Sequence, residues 1–247
     1  MSERIVIEVC VESVASAVAA ERGGASRIEL CGSLIEGGIT PSAGLAAAVR
    51  QAVKLPMHVM IRPRGGDFLY DDVEFEVMRR DITMARQLGA DGVVFGLLDA
   101  DGNADLGRTK SLVEAADPME VTFHRAFDMS ADLFRALEDV IATGATRLLT
   151  SGGEQSSLQG ADRIAQLVQL AGDRIIVMAG SGIKPENGRD LVAKTGVREI
   201  HVGLRSDVPS PMRYRKPEIS MGSVEGREYE RHTVFEKDVR KLRDAVG

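Results

Sequence analysis

Several features are scarce or absent in this 247-residue sequence, and each absence narrows the possible functions. There are only two cysteines, Cys10 and Cys31, which are too few for a disulfide framework and are expected to be free thiols. No run of roughly 18 apolar residues is present, so we expect no transmembrane helix and no membrane partner. The N-terminal residues lack the apolar region and cleavage site of a signal peptide. These features together predict a cytoplasmic protein.

Basic residues are not in excess either. Lysine and arginine number 31 against 37 aspartate and glutamate, which gives a formal net charge of −6. A broad nucleic-acid surface needs a basic face, so no nucleic-acid partner is expected. A Gly-x-Gly-x-x-Gly turn is also missing, since the first apolar strand runs into residues 11–14 without a glycine. This absence disfavours a doubly wound dinucleotide-binding sheet, the main rival among α/β folds.

The chain does contain a repeated unit of a short apolar strand, a turn and an amphipathic helix. Such alternation is typical of βαβ units and a parallel sheet. Eight strands are predicted, beginning near Ile5, Arg27, Pro56, Gly92, Glu120, Arg147, Arg174 and Arg198. Eight units in about 250 residues suit a (β/α)8 (TIM) barrel, so residues 1–247 are predicted to form a single α/β barrel domain. A long irregular loop at 203–226 is expected at the C-terminal mouth, followed by a C-terminal helix over about 227–246.

Ionisable side chains interrupt the apolar strands, where they are unusual. The first and second strands share the pattern Ile-Glu-x-Cys. Because side chains alternate along a strand, Glu8 shares a face with Cys10, and Glu29 shares a face with Cys31. The two strands are neighbours, so two carboxylates and two thiols are predicted to cluster in one sector of the barrel.

Other strands add polar residues to the same predicted face. The third strand carries His58, Met60 and Arg62, the fifth carries His124 and the eighth carries His201. If these faces point inward, the carboxylates of the first two strands would pair with Arg62 and a histidine, and such buried groups often mark a functional site. Four residues are therefore candidate catalytic groups: Glu8, Glu29, Arg62 and His124. The alternative is that these residues form a purely structural network. For His58 and His201, a role as a hydrogen-bonded core histidine is as well supported as a role in a site.

Glycine-rich turns follow the sixth, seventh and eighth strands. Ser151 lies in the first turn, Gly180 and Gly182 in the second, and Gly203 in the third. Glycine lets backbone N–H groups point at an anion, and barrel enzymes often bind phosphate on the turns after strands seven and eight. These turns are a predicted anion site, with simple reversal of the chain as the alternative.

The chain resembles the CutC family, named for copper homeostasis, in a series of strings that spans nearly its whole length. These strings are Ile7–Cys10, Arg27–Cys31, Glu36–Ser42, Ile61–Phe68, Thr122–Asp128, Leu149–Gly152, Met178–Gly182 and Ser210–Arg215. The resemblance implies a (β/α)8 barrel, a cytoplasmic location, a role in copper homeostasis through copper binding, and a homo-oligomer such as a dimer or a tetramer.

Two functions stay open at this point. In the first, Cys10 and Cys31 bind copper as Cu(I), for which thiolates are suitable donors, and Met60 or a histidine adds a third donor. Cysteines that only pack in the core are the alternative. In the second, the protein is an isomerase- or lyase-type enzyme for a small anionic or phosphorylated metabolite. Its candidate substrate-binding residues are Arg64, Asp67, Arg125, Ser151, Gly180, Gly182, Gly203 and Arg213.

Overall fold

Eight parallel strands form a closed barrel in the computed structural model of the chain, which describes residues 4–221, 224 and 226–247. The strands pair in sequence order, and the eighth pairs with the first. They are β1 (Val6–Val11), β2 (Arg27–Leu30), β3 (Met57–Met60), β4 (Gly92–Phe95), β5 (Glu120–Phe123), β6 (Arg147–Thr150), β7 (Ile176–Gly180) and β8 (Glu199–Val202). Each begins at or close to its predicted position, and the predicted (β/α)8 barrel is confirmed.

The helices surround the barrel, and their ends follow local sequence signals. They are α1 (Val14–Gly23), α2 (Ala43–Ala52), α3 (Asp72–Gln87), α4 (Leu106–Ala116), α5 (Leu133–Thr143), α6 (Ala161–Ala171), α7 (Gly188–Thr195) and α8 (Glu236–Val246). Ser13 and Ser42 cap α1 and α2 through their side-chain oxygens. Asp71 and Glu74 form a capping box at the start of α3. Two 3₁₀ helices, at Leu34–Glu36 and Arg125–Met129, lie in the turns after β2 and β5.

The apolar core lies between the barrel and the helices. Outward-facing strand residues such as Ile7, Val9 and Ile28 are fully buried there against helix residues such as Ala17 and Val49. This core contains the large aliphatic and aromatic side chains, so the inner face of the barrel is left for other residues. No helix in the described part of the chain is long and apolar enough to cross a membrane.

The region after β8 differs from the sequence-based prediction. Instead of one irregular loop over 203–226, residues Arg205–Pro209 form a ninth strand, β9, that pairs antiparallel with β10 (Glu230–Val234). The last helix begins at Glu236 and not near residue 227. The physical reason is pairing across the hairpin, since residues 205–209 gain a strand partner in β10, where Thr233 and Val234 are β-branched residues that favour an extended chain.

The hairpin and the last helix are attached to the first helix. The backbone N–H of Val234 donates to the Ser16 hydroxyl oxygen at 3.2 Å. A Cβ atom at Gly23 of α1 would lie 2.5 Å from Cβ of Val239, so α8 approaches α1 at a position that requires glycine. The chain after β8 is thereby held over the β8 and β1 side of the mouth.

Candidate functional site in the barrel lumen

The lumen is lined by polar side chains, where barrels of this type usually have apolar layers. The strand register explains how these side chains meet. Glu8 lies beside Arg27 of β2 and beside His201 of β8, and Cys10 lies beside Glu29. Glu8, Arg27 and Glu29 are all less than a tenth exposed. The structure thus brings the predicted carboxylates and thiols together on the inner face.

An ion network fills the part of the lumen furthest from the C-terminal mouth. Arg27 donates from Nε to Glu8 Oε2 at 2.5 Å and from Nη2 to Glu199 Oε2 at 2.7 Å. Arg147 donates from Nε to Glu199 Oε2 at 2.6 Å and from Nη1 to Glu120 Oε2 at 3.1 Å. Each charge in this network therefore has an oppositely charged partner, which offsets the cost of its burial.

Sequence reasoning missed Arg27, Arg147 and Glu199 as members of this network. A signal for two of them was available, because Arg27 stands two residues before Glu29 and Glu199 stands two residues before His201. Residues spaced by two share a face of a strand. Arg27, Arg147 and Glu199 are the first residues of their strands, where a polar residue indicates the end of a turn as readily as an inward-facing side chain.

Glu8 is held as a carboxylate between Arg27 and His201. His201 Nδ1 lies 2.8 Å from Glu8 Oε1. Burial opposes ionisation of Glu8, but the hydrogen bond with His201 and the charges of Arg27 and His201 outweigh it and hold the pKa of Glu8 well below its usual range. Burial also opposes a charged His201, yet the Glu29 carboxyl, Cys10 and Glu8 raise the pKa of His201 well above its ordinary value. His201 is therefore part of the polar site and not an isolated core histidine.

The two cysteines meet nearer the mouth. Their Sγ atoms lie 3.7 Å apart, and Cys31 Sγ lies 3.3 Å from Glu29 Oε2. One donor atom from each of Cys10, Glu29 and Cys31 lies within 4.8 Å of the others. Met60 and Val94 form one small buried cluster with the two cysteines. Two thiols and an adjacent thioether are soft donors, so the chemistry of this donor set fits Cu(I).

Protons are shared unequally within this group. The hydrogen bond with Cys31 and the proximity of His201 outweigh burial and lower the pKa of Cys10 to about 5. The hydrogen bond with Cys10 and burial raise the pKa of the Cys31 thiol well above its usual range. Burial and the charge of Cys10 raise the pKa of Glu29 well above its ordinary value. The direction of these shifts makes Cys10 the more acidic of the two thiols.

A cavity of about 1100 Å³ leads from this cluster to the C-terminal mouth. Its wall includes several of the predicted site residues, namely Cys10, Glu29, Arg62, His124, Arg125, Gly182 and Gly203. It also includes residues that sequence reasoning did not single out, among them Ser181, Lys184, Leu204 and Arg205. Because α8 and the hairpin border the same opening, the cavity is shaped by elements from both ends of the chain.

Five predicted substrate-binding residues are not part of this wall: Arg64, Asp67, Ser151, Gly180 and Arg213. Arg64 turns outward, where it donates to Glu74 Oε1 at 2.5 Å and to Asp67 Oδ1 at 3.0 Å. Ser151 is held by Asp128, whose carboxylate accepts its backbone N–H at 2.9 Å. These side chains face other protein groups, so their predicted contact with a substrate in this cavity is not supported by their positions.

Gly180 and Arg213 are placed differently from each other. A Cβ atom at Gly180 would lie 2.6 Å from Leu149 Cδ1 and 3.3 Å from His201 Cβ, so this glycine makes room inside the lumen and does not present its backbone to an anion. The carbonyl oxygen of Gly180 accepts the Ser157 hydroxyl. Arg213 is exposed beyond the hairpin strand β9.

His124 and Arg62 form a second polar part of the cavity wall. Nδ1 of His124 accepts the backbone N–H of Ala126 at 3.2 Å, so Nε2 carries the ring proton, and Nε2 has no partner. Burial, with a contribution from the charge of Arg62, lowers the pKa of His124 to about 3. Arg62 was predicted to pair with Glu8 and Glu29, but it donates to backbone carbonyls of residues 36, 38 and 66. The loop after β2 supplies two of these acceptors, which is why Arg62 needs no carboxylate.

The buried His124 is expected to make stability depend on pH. Its pKa is about 3 in the folded protein against 6.5 ordinarily, so between these values the unfolded chain binds a proton that the folded chain does not. The free energy of unfolding should therefore fall as pH falls through this window, by about 1 kcal/mol per pH unit from this residue. His124→Asn keeps an acceptor for the Ala126 N–H but does not titrate. Urea unfolding at pH values of about 4 to 6 measures the free energy of unfolding. Its change per pH unit should be smaller in His124→Asn than in wild type by that amount.

His232→Asn is the control for loss of an imidazole as such, because His232 lies in the surface hairpin beside Asp207. If the free energy of unfolding depends on pH equally steeply in wild type and His124→Asn, then protonation of His124 is not coupled to unfolding.

The chain was then compared with known proteins. A family model described as the CutC family matches residues 5–206. A Chromobacterium violaceum protein named as a CutC family protein is 48% identical over 241 residues, which cover 98% of each chain. The copper homeostasis protein cutC homolog of Mus musculus is 51% identical over 217 residues, or 88% of this chain and 80% of that protein. A crystal structure of a Streptococcus agalactiae protein that carries the name CutC has a TM-score of 0.76 and 33% identity, covering 80% of this chain and 97% of that chain. As the sequence strings predicted, the chain belongs to the CutC family of copper homeostasis proteins.

Proposed function

We propose that this protein acts in copper homeostasis by binding Cu(I) through the thiolates of Cys10 and Cys31. The observation that carries the proposal is the 3.7 Å separation of the two sulfur atoms in the lumen. Bonds from a metal ion to thiolate sulfur are about 2.3 Å long, so two ligands of one ion lie no more than about 4.6 Å apart. The two thiols therefore already stand within reach of a common ion.

Neighbouring donors support the same assignment. Met60 belongs to the same buried cluster as the cysteines and offers the soft thioether that was predicted as a third donor. His201 and Glu29 border the cluster, with His201 Nε2 at 3.8 Å from Glu29 Oε2. These harder donors suit a role beside the soft ligands, where they hold the cysteine side chains in place.

Access to the sulfurs is from the mouth. Cys10 forms part of the cavity wall, whereas Cys31 lies behind it and is fully buried. An ion that enters from the C-terminal side reaches Cys10 first, and Cys31 completes the pair.

A variant without both sulfurs tests this function. Cys10→Ser/Cys31→Ser is expected to weaken Cu(I) binding by at least about 100-fold, since hydroxyl groups are poor ligands for a soft ion. The measurement is competition against a chromophoric Cu(I) chelator under anaerobic reducing conditions. Wild type should retain one ion per chain at chelator concentrations that strip the variant.

Val94→Ala is the matched control, because Val94 packs in the same cluster but offers no donor atom. Its Cu(I) affinity should stay within a few-fold of wild type. A folded Cys10→Ser/Cys31→Ser protein that binds Cu(I) as tightly as wild type would rule out the thiolate site.

A cytoplasmic location and a homo-oligomer belong to the same proposal. Both cysteines are free thiols, the form that a reducing compartment maintains. On the outer face of α3, Val73, Val77 and Met84 are exposed apolar side chains, which suits a contact between copies of the chain.

A further inference from the structure

The turns after β7 and β8 form one rim of the cavity, and their backbone is unusual. Ser181 and Leu204 have positive φ angles of 82° and 45°, although neither is glycine. Gly182 has a φ of 74°, and a Cβ atom there would lie 2.9 Å from Ser156 Cβ. Non-glycine residues in this conformation are strained, and such strain concentrates where a protein binds ligands.

The backbone N–H groups of this rim have no acceptor. Those of Ser181, Gly182, Gly203 and Leu204 form no hydrogen bond with any described residue of the chain. Polar backbone groups are nearly always paired with protein or solvent. Four unpaired donors on two adjacent turns make a surface that an anion can satisfy.

Two cations stand beside these donors. Lys184 and Arg205 follow the turns after β7 and β8 in the chain and line the cavity, and neither forms an ion pair with the residues that the structure describes. The acidic neighbours Glu186 and Asp207 are already engaged, by Lys241 at 2.6 Å and by His232 at 2.6 Å. The charge of Lys184 also acts on Glu186, but neither Lys184 nor Arg205 has a direct ion-pair partner among the described residues.

An independent observation at the floor of the cavity also points to a ligand. Nε2 of His124 and Nε of Arg62 are buried donors without a partner, and both residues line the cavity. Burial of a donor without an acceptor is unfavourable, so such groups favour a ligand that supplies one. Phe68 also lines the cavity and packs edge-on against His124, with ring centroids 5.0 Å apart.

We propose that the mouth of this barrel binds a small organic phosphate, with the phosphate group on the rim formed by Ser181, Gly182, Gly203 and Leu204. Lys184 and Arg205 match a dianion better than a single carboxylate, because together they carry two positive charges. The volume of about 1100 Å³ leaves room for the organic part between the rim and the floor. Its oxygen atoms would face His124 and Arg62. The isomerase- or lyase-type activity that the sequence left open would take its substrate here.

This site is distinct from the thiol pair. The rim residues lie in the turns after β7 and β8, whereas Cys10 and Cys31 belong to β1 and the end of β2. Copper binding and phosphate binding therefore have separate variants, and the failure of one proposal leaves the other standing.

Titration with inorganic phosphate and with glycerol 3-phosphate, followed by 31P NMR line broadening, tests the site. Wild type should bind both probes, and glycerol 3-phosphate more tightly. Lys184→Gln/Arg205→Gln should weaken both by about 10- to 100-fold, since hydrogen bonds to charged groups are lost. The matched control is Arg213→Gln/Lys216→Gln, which removes the same charge from exposed residues that do not line the cavity. Its affinity should stay within about twofold of wild type.

Two further measurements separate the possible outcomes. Phosphate should shift the amide resonances of Gly182 and Gly203 in 15N spectra of wild type, and Cys10→Ser/Cys31→Ser should bind phosphate as wild type does. The rim site would be overturned if Lys184→Gln/Arg205→Gln and Arg213→Gln/Lys216→Gln lost phosphate affinity equally. Phosphate-induced shifts confined to glycines other than Gly182 and Gly203 would also overturn it. Absence of binding by wild type, folded as judged by circular dichroism, would also overturn it. Equal affinity for inorganic phosphate and glycerol 3-phosphate would refute the proposal that the cavity also binds the organic part of the ligand.

Discussion

Replacement of Arg27 by methionine is expected to lower the free energy of unfolding by about 3–5 kcal/mol. Arg27 is only 6% exposed and donates to both Glu8 and Glu199 in the lumen. Methionine fills a similar volume but carries no charge. Glu8 would keep His201 as a partner. Glu199 would keep only Arg147, which also donates to Glu120. Breaking a buried ion pair is costly because the remaining charge stays away from water without full compensation.

Urea unfolding followed by circular dichroism measures this loss. Arg174→Met is the matched control, since Arg174 makes a two-point ion pair with Glu138 at 2.6 and 2.8 Å on the surface. Exposed ion pairs contribute little to stability, so the control should unfold nearly as wild type does. Losses of the same size in Arg27→Met and Arg174→Met would mean that the lumen network does not hold the barrel together.

Alternation of residues along the strands predicts part of the lumen but not all of it. Alternation along each strand was sufficient to place Glu8, Cys10, Glu29 and Cys31 on the inner face, because this property depends only on local geometry. It did not identify which groups pair. Arg27 reaches Glu199 because β8 closes the barrel against β1, and the register across that closure is set by all eight strands together.

Arg62 illustrates the same limit. Its position on an inward-facing strand suggested a carboxylate partner, but the turn after β2 brings carbonyl oxygens of residues 36 and 38 to its guanidinium. Backbone carbonyls exist at every residue, so the sequence carries no sign of such an acceptor. Only the path of the loop decides that it is there.

The hairpin after β8 was missed for a different reason. Residues 205–209 alternate between exposed and half-buried positions, and their strand partner at 230–234 is supplied from more than twenty residues away. A short strand with such a distant partner leaves little local signal, because it gains most of its stability from pairing. The hairpin matters for the site, since Arg205 and Asp207 lie on its first strand.

The three glycine-rich turns were predicted to be alike, and the structure separates them. The turn after β6 already contains an anion from the protein itself. Asp128, with a side chain only 3% exposed, accepts the backbone N–H groups of Ser151 and Gly153, both at 2.9 Å, and the Thr150 hydroxyl at 2.5 Å. Arg125 donates to the same carboxylate at 2.8 Å. Among the residues that the structure describes, the turns after β7 and β8 have the donors but no such internal carboxylate, which is why an external anion is proposed for them.

Removal of this internal anion is expected to destabilise the protein by about 3 kcal/mol, because Asp128→Ala leaves several donors and Arg125 without their acceptor. The free energy of unfolding from urea titrations measures the loss. The control is Asp132→Ala, which removes a carboxylate that caps α5 at an exposed position and should cost about 1 kcal/mol.

The origin of the Asp128 effect can be tested further by adding formate, a free carboxylate small enough for the vacated space. If the turn requires an anion, formate should raise the unfolding midpoint of Asp128→Ala and leave those of wild type and Asp132→Ala unchanged. A cost no larger than that of Asp132→Ala would show that the amide-rich turn is stable without a charge inside it. That result would also weaken the case for phosphate at Gly182 and Gly203, since both sites depend on unpaired backbone donors attracting an anion.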